Sequence, residues 1–240
     1  MTTPHPDTVA LHGWTAVPVD SDAILQGKPY LHKPTPLLAV DIPFPSSDPL
    51  VARVQAYAKS QLPRQTFNHS MRVFYWGPHP PPTIPLPPHS LLSPSTLALV
   101  SLLHDIGTAP AFLSTTQLSF EFAGALVARD LLLHPSPPVL ETIIRHQDLG
   151  TRGTITFLGQ LIQLATIYDN IGGHPELVHA ETKVDVNRVF PRGGWSGCFA
   201  ATVREEMRLK PWAHSTHLGE REFPEGVEGN ELMGEFDGWE

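Results

Sequence analysis

From Asp48 onward, apolar residues recur at intervals of three and four, the spacing that lays a stripe along one face of a helix. The first such run carries Leu50, Val51, Val54, Tyr57, Ala58 and Leu62. Asp48 suits the N-cap, Pro49 the first helical position, and Pro63 ends the run. Similar patterns predict helices over 66–76, 93–106, 119–134, 137–146 and 196–210. The longest apolar stretch, 155–171, is apolar on nearly every face and stops at Gly172 and Gly173, so it predicts a buried central helix. No alternation of period two is sustained, and the expected fold is all-α, a compact helical bundle.

Two stretches fall outside this pattern. Residues 1–47 are rich in proline without a helical repeat and read as an extended arm lying on the core. Residues 79–89, HPPPTIPLPPH, lack too many backbone donors to continue a helix and read as a surface loop rather than a polyproline ligand. The expected organisation is an arm (1–47), a helical domain (48–217) and a C-terminal tail (218–240).

Composition narrows the function classes. The chain has 240 residues, 41% of them apolar, enough for one sizeable core. Its lone cysteine, Cys198, excludes an internal disulfide, and no leader-like or membrane-length apolar run is evident, so a soluble cytoplasmic protein is expected. The net charge of −8 argues against nucleic-acid binding. Residues 220–240 hold eight carboxylates against Arg221, so most of that charge belongs to the tail, which reads as irregular and solvated.

Candidate chemistry lies where charged groups enter apolar helices. His104 and Asp105 follow Leu102 and Leu103 in LVSLLHDIG, a costly position unless a cation or another partner compensates it. Adjacent helical residues diverge by about 100°, so both can reach one ion only near the helix end. His69 lies in NHSMR, and Asp169 lies on the buried stripe of the central helix with Leu161 and Ala165. A single His, a His-Asp pair and a distant Asp, on separate helices, make a mixed nitrogen and oxygen set suited to zinc, iron or manganese. That order resembles the ligand signature of the HD superfamily.

A closer resemblance runs through HGWTAVPV (12–19), NHSMRVFYWG (68–77), SPSTLALVSLLHDIGTA (93–109), IIRHQDLG (143–150), ITFLGQLIQLATIYDNIG (155–172) and KPWAHSTH (210–217). These segments are similar to the fungal cyanamide hydratases. The resemblance implies a compact HD-type helical domain holding one zinc through His69, His104, Asp105 and Asp169. It further implies addition of water to the nitrile of cyanamide to give urea, with no organic cofactor. The expected partner is this small molecule, with no nucleic acid or membrane, and a homo-oligomer is expected.

Proton transfer needs a further group near the ion. His146 is the first candidate, for a role on the metal or beside it, followed by Glu121, Thr108 and Asn170. His146 could equally be a helix-terminal histidine, and Thr108 and Asn170 could be helix caps. Arg72 and Arg145 read as groups that tie helices together, and His214 and His217 lack a nearby carboxylate in sequence. An HD-type phosphohydrolase is the alternative activity, weakened because Thr108 follows HDIG where those enzymes often carry lysine.

Overall fold

The computed structural model describes residues 6–77, 92–132 and 136–240. The proline-rich segment 79–89 lies outside them. The helices are α1 (Pro6–Leu11), α2 (Ser21–Leu25), α3 (Pro49–Gln61), α4 (Arg64–Trp76), α5 (Pro94–Leu103), α6 (Pro110–Leu113), α7 (Phe120–Leu132), α8 (Pro137–Arg145), α9 (Phe157–Ile171), α10 (Ala180–Val189), α11 (Trp195–Leu209) and α12 (Glu222–Glu228). The all-α expectation holds for the bundle. None of these helices is long and apolar enough to cross a membrane.

Helix starts follow the local chemistry. The Asp48 carboxylate accepts from the backbone of Leu50 at 2.9 Å and of Val51 at 3.4 Å, and Val51, Val54 and Ala58 then turn inward. A cap of this kind contributes about 1 kcal/mol. Thirteen of the fifteen residues of α9 are buried, which makes it the central helix against which α4, α5, α8 and α12 pack.

The arm contributes a small sheet that the period-two criterion did not anticipate. β1 (Ala16–Pro18) pairs antiparallel with β2 (Thr154–Thr156), each strand being three residues long. Phe157 donates its backbone N–H to Thr15 at 2.7 Å and Leu158 to Gly13 at 3.1 Å, so the arm satisfies free donors at the start of α9. Gly13 has φ +66°, and a Cβ there would lie 2.9 Å from Leu158 Cβ.

The C-terminal segment differs from the solvated, irregular tail expected from its charge. It carries α12 and a short 3-10 turn at Gly234–Phe236, and it buries Val227, Met233 and Phe236. Asp237 accepts from the buried Arg192 at 2.6 Å, and Asn230 donates to the Asp169 backbone carbonyl at 3.0 Å. These contacts tie the segment to the end of α9, beside the candidate site.

Candidate metal centre

The site forms where α4, α5, α8 and α9 converge. His69 projects from the middle of α4. His104 is the C-cap of α5, and at Asp105 the backbone leaves helical geometry (φ −101°, ψ 9°) for a 3-10 turn at Ile106–Thr108. This break lets two adjacent side chains turn to one point, which a continuous helix would prevent. The turn packs tightly on α7: a Cβ on Gly107 would lie 2.0 Å from the Phe120 carbonyl oxygen.

His69, His104 and Asp105 are buried, and a ligand atom from each lies within 4.8 Å of the others. His69 Nδ1 donates to Asp169 Oδ2 at 2.7 Å, and His104 Nδ1 donates to the Ser101 carbonyl at 2.8 Å. Burial pushes His69 down to about 4 despite the neighbouring Asp169 and Asp105 carboxylates, so its ring is neutral. With Nδ1 carrying the proton, each Nε2 is a bare lone pair. The two Nε2 atoms nevertheless lie 3.1 Å apart, at 3.5 Å (His69) and 3.3 Å (His104) from Asp105 Oδ2. Neither Asp105 oxygen has a hydrogen-bond partner among the described residues. Electron pairs facing one another in a buried space are costly unless positive charge lies among them. The arrangement fits a metal ion, with each histidine fixed through its other nitrogen as metal ligands generally are.

His146 repeats the pattern. As the C-cap of α8 it donates Nδ1–H to the Ile143 carbonyl at 2.7 Å, the same three-residue step that His104 makes. Its buried Nε2 has no hydrogen-bond partner among the described residues and lies 3.6 Å from Asp105 Oδ1.

Asp169 is placed differently from the expectation that made it a fourth ligand. It stands behind His69, on the Nδ1 side of the ring, and its lone pairs are already taken. Oδ1 accepts from Arg72 Nε and Trp76 Nε1, both at 2.9 Å, while Oδ2 accepts from Arg72 Nη2 and His69 Nδ1, both at 2.7 Å. Burial alone would raise this carboxyl, but Arg72 and Arg192 hold it well below the usual carboxylate range. Trp195 stacks on the free face of His69 at 4.2 Å.

The remaining candidates divide. Glu121 is buried in α7; Oε1 pairs with His214 Nδ1 at 3.3 Å, and Oε2 has no hydrogen-bond partner among the described residues. Its charge is felt at His146. Thr108 turns its hydroxyl back onto the Asp105 carbonyl at 2.7 Å, and Asn170 Oδ1 accepts from Trp195 Nε1 at 2.9 Å, so both brace neighbours of the site. His214, which lacks a nearby carboxylate in sequence, has two in the fold. It bridges Glu121 and Asp148, the latter at 3.2 Å, and these hydrogen bonds raise it to about 10.

The chain is 35% identical over 221 residues to the cyanamide hydratases DDI2 and DDI3 of Saccharomyces cerevisiae, an alignment covering 87% of this chain and 92% of each relative. It belongs to the cyanamide hydratase family. No family model matches the chain. The family match spans the buried His69, His104 and Asp105 cluster together with the elements that frame it, because it takes in nearly nine-tenths of the sequence.

Proposed function

We propose that the chain is a zinc-dependent cyanamide hydratase, converting cyanamide and water to urea. Membership of the family supports the substrate, and the bare Nε2 atoms around Asp105 support metal dependence. His69, His104 and Asp105 would hold the ion, with His146 as the fourth donor in the place first expected for Asp169. Three imidazole nitrogens and one carboxylate suit zinc, and the single-His, His-Asp order resembles the HD pattern. When bound, zinc supplies Lewis acidity, activating water near neutral pH and polarising a nitrile.

The chain's own groups perform the rest. Asp169 fixes the His69 tautomer and anchors the ring, and Arg72 and Arg192 neutralise Asp169 behind it. Glu121 Oε2, buried and unengaged, takes the proton released as water oxygen bonds to the nitrile carbon, then returns it to the nitrile nitrogen. The addition product is an isourea, and moving its hydroxyl proton to nitrogen gives urea, so no proton is gained or lost overall.

Phosphohydrolysis fits less well. It needs cationic groups free to meet a phosphate, whereas the buried Arg72 and Arg192 both engage Asp169. Incubating zinc-loaded protein with cyanamide while measuring urea, beside a phosphatase assay under identical loading, tests the proposal. Urea without phosphate release is the expected result, and phosphate release without urea would reverse the assignment.

A further inference from the structure

Residues 210–217, KPWAHSTH, contribute none of the proposed metal ligands, yet together with Glu206 they hold the start of α7 residue by residue. Trp212 Nε1 donates to the Gln117 carbonyl at 3.0 Å, and Lys210 Nζ donates to the Leu118 carbonyl at 2.8 Å. The His214 backbone N–H donates to Ser119 Oγ at 2.9 Å. The Phe120 N–H, one of the donors that a helix start leaves free, donates to Glu206 Oε1 at 2.7 Å. Next in line is Glu121, whose Oε1 accepts from His214 Nδ1 at 3.3 Å.

The clamp is itself braced. Glu206 and Lys210 are both buried, with Lys210 Nζ 3.1 Å from Glu206 Oε1, and the Ser215 hydroxyl donates to Glu206 Oε2 at 2.8 Å. A buried polar network satisfied in this way rigidifies what it joins, so the turn carrying His214 is fixed against α7. The far side of the His214 ring is anchored as well. Its Nε2 lies 3.2 Å from Asp148 Oδ1, and Asp148 Oδ2 accepts from Arg145 Nε at 2.7 Å. The ring of Phe122 packs edge-on against it at 5.9 Å between centres. With a carboxylate facing each ring nitrogen, His214 donates from both.

We propose that His214 is a positioning residue for proton transfer: its Nδ1–H tethers Glu121 Oε1, which leaves Oε2 as the oxygen that exchanges the proton, and the KPWAHSTH segment holds the ring in place to do so. The inference rests on the role given to Glu121 above. A carboxylate free to turn about its last bond would spend time with neither oxygen in line, whereas one tethered oxygen fixes the direction of the other. That matters because proton transfer needs heavy atoms within hydrogen-bond reach, and a displacement of about 1 Å can cost on the order of 100-fold in rate.

The two ring nitrogens can be tested separately, because an Asn amide nitrogen reaches the place of Nδ1 and a Gln amide nitrogen the place of Nε2. Urea formation, zinc content and melting temperature are measured for the zinc-loaded parent, His214→Ala, His214→Asn, His214→Gln and Glu121→Gln proteins. His214→Ala should lower kcat by about 10–100-fold, part of what a well-placed acid–base group contributes, with KM and zinc content close to the parent's. His214→Asn should restore most of the lost kcat, while His214→Gln, which keeps the contact with Asp148, should stay near His214→Ala. Glu121→Gln should be at least as slow, and adding His214→Ala to it should lower kcat little further, since the two residues act as one unit. Proton NMR reads the contact without catalysis: the His214 Nδ1–H resonance should move in Glu121→Gln, and an unmoved resonance would show that the ring does not hold Glu121. Glu121→Gln working at the parental rate would reject Glu121 as proton carrier, and the purpose of His214 with it. A slow Glu121→Gln beside equal rates in His214→Asn and His214→Gln would overturn the positioning role alone.

Discussion

Asp169 meets His69 at Nδ1, 2.7 Å away, while His104 faces the opposite nitrogen of the same ring at 3.1 Å. The carboxylate thus decides which nitrogen keeps its proton, and His69 can offer a lone pair only because Asp169 occupies the other side. Asp169→Asn keeps the volume but removes the charge that balances Arg72 and Arg192. Breaking a buried ion pair in this way should cost about 3–5 kcal/mol of stability. Zinc affinity should fall by roughly 10–100-fold rather than vanish, because the residue supports a ligand. Thermal unfolding and competitive zinc titration check both effects, and complete loss of zinc from a folded variant would show that Asp169 binds the ion itself.

His146→Ala should behave differently. Removing a donor from the set should lower zinc affinity at least as strongly as Asp169→Asn while leaving the Arg72–Asp169 pair intact, so stability without metal should change less. Metal analysis after dialysis against a chelator provides the comparison. Full zinc retention with abolished urea formation would make His146 a proton-transfer group instead.

A pH prediction follows from His214. Its folded-state pKa is raised from 6.5 to about 10 by hydrogen bonds to Asp148 and Glu121, so protonation favours the folded protein. That stabilisation is fully present below pH 6.5 and is lost as pH climbs through about 10. His214→Gln keeps hydrogen-bonding capacity without the charge. The stability difference between parent and variant should be greatest near pH 6 and shrink across this window. Parallel melting-temperature profiles from pH 6 to 10 would contradict the bridge.

Gly107→Ala should be among the more damaging small substitutions. The added methyl meets the backbone carbonyl of Phe120, which cannot swing aside as a side chain could. Overpacking of this kind costs about 1–3 kcal/mol, and a displaced Asp105 should carry activity down with it. Chemical denaturation and the urea assay measure the two consequences.

The helical plan was legible because cap residues and apolar stripes agree along the chain, as Asp48 and the Val51, Val54, Ala58 face illustrate. His69, His104 and Asp105 stood out because each places a polar group on an apolar helix. Asp169 was legible as a buried carboxylate in need of compensation, but its partners Arg72, Trp76 and Arg192 lie far from it in sequence, and no local spacing shows them. His214 was set aside for want of a carboxylate nearby in sequence, because its partner Glu121 is 93 residues away. The C-terminal segment was misread because eight carboxylates outweigh a few apolar residues in any compositional measure, whereas Val227, Met233 and Phe236 are the ones that turn inward.

The most direct test of the central claim is urea formation from cyanamide as zinc is titrated into metal-free protein. The rate should rise in proportion to bound zinc and level off at about one ion per chain, as expected for a single catalytic site. Turnover that proceeds equally without zinc, or fails to appear at full loading, would contradict the account.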